Sequence, residues 1–202
     1  MLRRKPAEDR KADIVAAVLK LADRIGPDRL TTNDIAHEVG VTQAAIFRHF
    51  PTKSDLWTAV GDAISDRLEA AWQQAVTGRE SPSTRLRALI AAQLRQIEQA
   101  PALPAILHSR ELNVDNAALR DRFRRVLMSY QAHLVTTLDS MAEEGDLAAD
   151  MMSSDAAALL TSLVQGIAIR WSLGSRSFDI LPEGMRLLEV QLAFFARVDK
   201  RK

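Results

Sequence analysis

The segment TTNDIAHEVGVTQAAIFRHFPTKSDL, Thr31–Leu56, decides the reading of this chain. It holds two short apolar patterns separated by a lone Gly40. Thr31 or Thr32 can cap the first pattern through its hydroxyl, and Ile35 and Val39 then share one helical face. Ala36 is small where a second helix must cross, and Gly40 suits a turn that needs a positive φ. Val41 plugs the turn, Thr42 caps the second helix, and Ile46 and Phe50 form its inner face. Successive helical residues rotate by ~100°, so Ala44, Ala45, Phe47 and Arg48 face outward, with Gln43 at the exposed N-terminal end. Small residues permit close approach. Gln suits the adenine edge and Arg the guanine edge, which fits a helix laid in the major groove. Thr52-Lys53-Ser54-Asp55 reads as a variant capping box opening a further helix, whose first amides would face an anion.

The rest of the chain reads as helical. The first helix spans about Ala7 to Ile25, with Ile14, Val18 and Leu21 on one stripe and Gly26-Pro27 as its stop. A helix from Lys53 to about Val76 carries Leu56, Val60, Ile64, Leu68 and Trp72. Ser81-Pro82 opens another, to about Gln99. Pro101 and Pro104 bracket one short irregular or helical piece ending near Leu112. Asp115 or Asn116 opens a helix to about Glu143, and two apolar helices follow, about Ser154 to Leu173 and Pro182 to Val198. One tyrosine and no Asn-Gly or Asp-Gly turn argue against strands. The expectation is an all-α protein of about nine helices: a helix-turn-helix DNA-binding domain over residues 1–57 and a helical body over residues 58–202.

Composition sets the limits. The 202 residues are 47% apolar, enough for a substantial core, and the net charge of +1 neither favours nor excludes nucleic acid. The absence of cysteine excludes disulfides, thiolate nucleophiles and Cys-ligated zinc, and suits a reducing cytoplasm. The basic N-terminus has no apolar run after it, and no stretch reaches the ~18 uninterrupted apolar residues of a membrane span, so a soluble, cytoplasmic protein is expected. Arg3, Arg4, Lys5, Arg10 and Lys11 form a basic arm suited to flanking phosphates or simply to solvent.

The run Thr31–Leu56 resembles the signature of TetR-type transcriptional regulators: Thr-Thr, three residues to Ala, then Gly-Val, a hydroxyl residue, an apolar-aromatic pair, His-Phe, and Lys before Leu. The resemblance covers about Ile14 to Val60. It implies a homodimer with two DNA-binding heads on a palindromic operator. Gln43, Ala44, Ala45 and Arg48 fall at base-reading positions, and Thr32, Thr42, His49 and Lys53 at positions that touch phosphate. The family's usual residue at position 47 is Tyr, whose hydroxyl bonds a phosphate. Phe47 lacks that hydroxyl and is left to pack its ring on a sugar or a thymine methyl. The resemblance also implies that residues 58–202 form a helical ligand-binding and dimerisation domain, and that repression is relieved by a small-molecule effector.

In the last helix, Met185, Leu188, Leu192 and Phe195 form one apolar stripe and Leu187, Val190, Phe194 and Val198 a second. Two stripes suggest burial on two sides. Together with Leu159, Leu163, Gly166 and Ile167 of the preceding helix, Leu188, Leu192 and Phe195 are expected at a four-helix dimer interface; a helix pair buried inside a monomer is the alternative. Polar and aromatic residues on the apolar stripes, Trp72, Gln93, His108, Tyr130, His133 and Trp171, are the candidates for an effector pocket. His108 and Glu111 lie three apart, but no HExxH, dinucleotide fingerprint, P-loop or nucleophile motif occurs, so no metal, no cofactor and no enzyme activity are expected. The alternatives to a ligand-responsive repressor are a constitutive DNA-binding protein and a helical interaction module or enzyme.

Overall fold

The computed structural model describes residues 7–78 and 81–196. Arg3, Arg4, Lys5 and Val198 lie outside the described residues. Ten helices and no strand occur among those described: α1 Ala7–Ile25, α2 Thr32–Val39, α3 Gln43–His49, α4 Lys53–Val76, α5 Pro82–Gln99, α6 Leu103–His108, α7 Arg110–Asp115, α8 Ala117–Glu143, α9 Ser153–Leu173 and α10 Ile180–Phe195. The sequence predicts about nine helices, and the described residues form ten. The piece between Pro101 and Leu112 is two helices, because Ser109 leaves helical geometry (φ −64°, ψ 112°) and its hydroxyl accepts the Leu112 N–H at 3.0 Å, starting a new helix.

The chain divides into two compact units: the described residues of Met1–Asp66 with Ala100–Arg124, and those of Arg67–Gln99 with Arg125–Lys202. In the first unit, Ile14, Val18 and Leu21 of α1, Ile35 and Ala36 of α2, Ile46 of α3 and Leu56, Trp57, Val60 and Ile64 of α4 are buried together with Leu103, Ile106 and Leu119. Lys20 and Arg24 of α1 hold Glu38 near the end of α2, at 2.5 and 3.3 Å. Those contacts hold the Glu38 carboxyl below its ordinary value, the Lys20 bond first. Ser109 donates to Asp28 at 2.5 Å, which ties the α6–α7 junction to the loop after α1.

The N-terminus of α8 docks on α4 within the same unit. The Asn116 side chain accepts the Leu119 N–H at 3.0 Å as a helix cap and donates to the Ser54 carbonyl at 3.0 Å. One turn on, Gly61 admits Leu119: a Cβ there would overlap the Leu119 methyl. Arg122 then pairs with Asp62 at 3.1 Å and Asp66 at 2.9 Å.

The second unit is organised around α5, α9 and α10. Leu86, Leu89, Ile90, Leu94 and Ile97 of α5 are buried, as are Leu160, Val164, Ile167 and Trp171 of α9 and Leu188, Leu192 and Phe195 of α10. Gly184 brings α10 against Leu94, where a Cβ would not fit, and Arg87 grips Glu189 through two bonds of 2.7 and 2.9 Å. By length and composition α9 suffices to cross a membrane. Its buried face of Ala156, Ala157, Leu160, Val164, Ile167, Ala168 and Trp171 is that of a core helix.

Candidate nucleic-acid interface

The head is built from local rules. Thr31 caps α2 in a reciprocal capping box: its hydroxyl accepts the Asp34 N–H at 3.2 Å, and Asp34 Oδ2 accepts the Thr31 N–H at 3.0 Å. The two bonds from Thr31, side chain first, hold the Asp34 carboxyl below its usual range. Gly40 ends α2 at φ 73°, and its N–H bonds the His37 carbonyl at 3.2 Å. Nothing lies within 4 Å of where a Cβ would sit, so the backbone angle, not space, requires glycine. Thr42 caps α3 by accepting the Ala45 N–H at 3.3 Å. Thr52 and Asp55 form a second reciprocal pair, 3.0 Å in each direction, at the start of α4.

The faces of α3 separate as the helical wheel requires. Ile46 is fully buried and Phe50 nearly so. Gln43, Ala44, Phe47 and Arg48 are exposed, while Ala45 and His49 are half-buried. Phe47 is 40% exposed, a large ring left outside the core. Thr42 and Lys53 are exposed and Thr32 is half-buried. Of the basic arm, Arg10 and Lys11 lie on α1, where Lys11 pairs with Glu8 at 3.3 Å. One contact is not legible in the apolar spacing: the Gln43 amide donates to Thr32 Oγ1 at 2.6 Å, joining the first residues of α3 and α2. The Thr31-Thr32 doublet held a signal for it, because one hydroxyl caps and the other is then available.

The candidate effector residues do not all come together. Trp72, Gln93, Tyr130 and His133 cluster in the second unit. Trp72 Nε1 donates to Gln93 Oε1 at 2.9 Å, and its ring lies 4.9 Å from Tyr130 and 6.3 Å from His133, centroid to centroid. Burial pushes the Tyr130 phenol upward, and its hydroxyl has no partner among the described residues. His133 opens to a surface pocket of about 450 Å³ lined also by Arg85, Ser129, Thr136 and Ser140. Trp171 is buried, with Arg176 over its ring at 5.4 Å. His108 belongs to the other unit and is exposed at the end of α6.

The residues expected at a dimer interface divide by burial. Ile167, Leu188, Leu192 and Phe195 are 4%, 0%, 8% and 1% exposed and belong to the core of their own unit. The stripe of Leu188, Leu192 and Phe195 faces inward because Gly184, one turn before Leu188, puts that side of α10 against α5. Leu159 is exposed, Leu163 half-buried, and Gly166 exposed with open space around it. Gly166 therefore serves no close approach among the described residues. Leu159, Ile169 and Leu173 of α9 and Val190 and Phe194 of α10 are the large apolar side chains left outside.

Two short, independently capped helices at a glycine turn, the second buried on one side and open on the other, define a helix-turn-helix protein. Residues 14–60 match the model of bacterial regulatory proteins of the tetR family, and residues 65–191 match the model of the YsiA-like protein C-terminal region. The chain belongs to the TetR family. That family is one of bacterial regulatory proteins. The nucleoid occlusion factor SlmA of Vibrio vulnificus is 27% identical over 127 residues, a match spanning 62% of this chain and 65% of that relative, just under two thirds of its length. A TetR transcription regulator from Haloarcula marismortui superposes with a TM-score of 0.79 at 22% identity, over 93% of this chain and 98% of that one. The transcriptional regulator FadR of Bacillus subtilis, in complex with stearoyl-CoA, superposes at 0.75 with 16% identity, over 90% and 97%. At such identities these structures establish the shared fold.

Proposed function

We propose that the chain is a homodimeric repressor that binds a palindromic operator and is released by a small-molecule effector. The observation that carries the DNA reading is the outer face of α3, where Gln43, Ala44 and Arg48 are open above a buried Ile46. In the dimer two such helices enter successive major grooves, ~34–36 Å apart. Gln43 and Arg48 read base edges. Thr32, Thr42, His49 and Lys53 meet phosphates, and Phe47 contributes its ring. The dimer forms through the outer faces of α9 and α10, Leu159, Leu163, Gly166, Ile169, Leu173, Val190 and Phe194, because an apolar surface of that kind is stabilised by removal from water. Such a protein works in the cytoplasm, where its operator is. The domain division at residues 57 and 58 assigns DNA binding to α1–α3 and the binding of effector and second protomer to residues 58–202.

The effector part draws on the Trp72, Gln93, Tyr130 and His133 cluster and on the bound stearoyl-CoA of the B. subtilis neighbour. An effector that prefers the state with the heads wrongly spaced lowers operator affinity by the factor it discriminates. A second reading, a DNA-binding protein without an effector, is favoured by two observations. The Trp72 ring is packed against Tyr130 and its N–H is already satisfied by Gln93, and the SlmA match is to a nucleoid occlusion factor. Selection of bound duplexes from a random pool with the purified chain tests the DNA reading: an enriched palindrome, lost with Arg48→Ala, is expected. Thermal-shift titration with stearoyl-CoA and other amphipathic acids, followed by release from the selected duplex, separates the two readings. A compound that raises Tm and releases DNA supports the repressor. A panel in which no compound does so favours the effector-free protein.

A further inference from the structure

We propose that Thr32 is a positioning residue for base recognition: its hydroxyl accepts an N–H of the Gln43 amide and so sets the edge that Gln43 presents to DNA. The inference rests on the reading of α3 as the recognition helix. Gln43 Nε2 donates to Thr32 Oγ1 at 2.6 Å. The neighbouring Thr31 performs the capping of α2, its hydroxyl engaged with both the N–H and the carboxylate of Asp34. The Thr32 hydroxyl therefore has no capping duty and is available to a second helix.

A primary amide carries two N–H groups. The one on the same side as its carbonyl oxygen forms, with that oxygen, the donor–acceptor edge that matches adenine N7 and N6. The other points away from that edge. The bond to Thr32 consumes one N–H only, and an engaged outer N–H leaves the paired edge free and aimed. Gln43 is an exposed, flexible side chain at the first position of α3. Fixing its amide before DNA arrives removes ordering cost at binding and discriminates against the flipped amide, which would present the wrong pattern to the same base. The Thr32 hydroxyl also keeps its own proton, so it can donate to a phosphate while accepting from Gln43. Backbone contact and base reading are then coupled in one pair of residues from two helices.

The test uses the full chain and a duplex selected from a random pool by the wild-type protein, with every single-base-pair variant of that duplex. Fluorescence anisotropy gives Kd for the wild type, Thr32→Val, Thr32→Ser, Gln43→Ala and the Thr32→Val/Gln43→Ala double variant. Gln43→Ala identifies the base pair that Gln43 reads. Thr32→Val, which preserves shape and removes the hydroxyl, is expected to reduce discrimination at that same base pair by about fivefold or more and to leave discrimination elsewhere intact. Thr32→Ser is expected to restore it. The double variant is expected to discriminate no worse than Gln43→Ala alone. The inference is overturned if Thr32→Val weakens all duplexes by one common factor, the behaviour of a phosphate contact alone, or if the two losses multiply. A pool that yields no enriched duplex refutes the sequence-specific reading itself, and this inference with it. Enrichment combined with a uniform Thr32→Val loss refutes this inference alone.

Discussion

The outer face of α3 and the outer face of α9 and α10 are both left uncovered by the chain's own core, and they differ in kind. On α3 the open side chains are Gln43, Ala44, Phe47 and Arg48, short groups, a ring, or groups with directional hydrogen-bonding edges. On α9 and α10 the large open side chains include the apolar Leu159, Ile169, Leu173, Val190 and Phe194, with polar groups such as Ser162 and Gln165 beside them. The first face suits a partner recognised atom by atom; the second suits a surface matched by shape and dryness. Both faces sit over well-filled interiors, so substitutions on them should alter binding and leave folding alone.

The largest effect expected on DNA affinity is from Arg48→Ala. The proposed dimer carries two recognition helices and each bidentate guanine contact is worth about 1–3 kcal/mol, so affinity for the selected duplex should fall by roughly a hundredfold in gel-shift titration, with Tm unchanged. Survival of specific binding would remove α3 from the reading role. Next comes the contrast within α10. Leu188→Ala, at a fully buried position, should cost about 2–5 kcal/mol in denaturant unfolding. Phe194→Asp, off that buried stripe and 51% exposed, should halve the mass seen by sedimentation velocity. A Phe194→Asp chain that stays dimeric breaks the comparison, because the outer face would then not be the partner surface.

A smaller gain is expected from Phe47→Tyr. The restored hydroxyl should tighten binding to all duplexes about equally, by roughly 0.5–1.5 kcal/mol; a gain confined to one base pair would make position 47 a reader of sequence. The smallest effect concerns acid. The Glu183 carboxyl is held down at about 2 by Arg186 and, next, Arg170, against an ordinary value of 4.5. Its folded value is depressed, so its contribution to stability is full above pH 4.5 and is lost as pH falls toward 2. Glu183→Gln should lower stability slightly at neutral pH and flatten the acid decline between those limits, as read from Tm against pH. An unchanged acid slope would show that this exposed triad contributes nothing.

Where local chemistry defines an element, the sequence alone was enough. The end of α1 and the start of α4 are set by Gly26-Pro27 and by the Thr52–Asp55 box, and the turn at Gly40 by its neighbours. The inner and outer faces of α3 come from rotation about a helix axis with one strongly apolar side. What stayed hidden depends on tertiary contact. A helix with two apolar stripes carries no mark of which one faces home; α10 is settled by Gly184 against Leu94, far apart in sequence. The same holds for the Ser109–Asp28 and Asn116–Ser54 bonds and for Gly61 beneath Leu119. His108 looked like a polar break in a buried stripe because the α6–α7 junction at Ser109, which leaves it at the surface, is itself invisible to periodicity.

The three tryptophans give the protein a set of built-in spectroscopic probes. Trp57 is the lone indole of the unit that contains α1–α3, sealed at 2% exposure, whereas Trp72 and Trp171 report on the other unit. Replacing the latter two with phenylalanine would leave a single indole, in the unit that holds the proposed DNA-reading helices. Its emission wavelength and quenching would then register the loosening of that unit separately from the rest of the chain, with no dye attached.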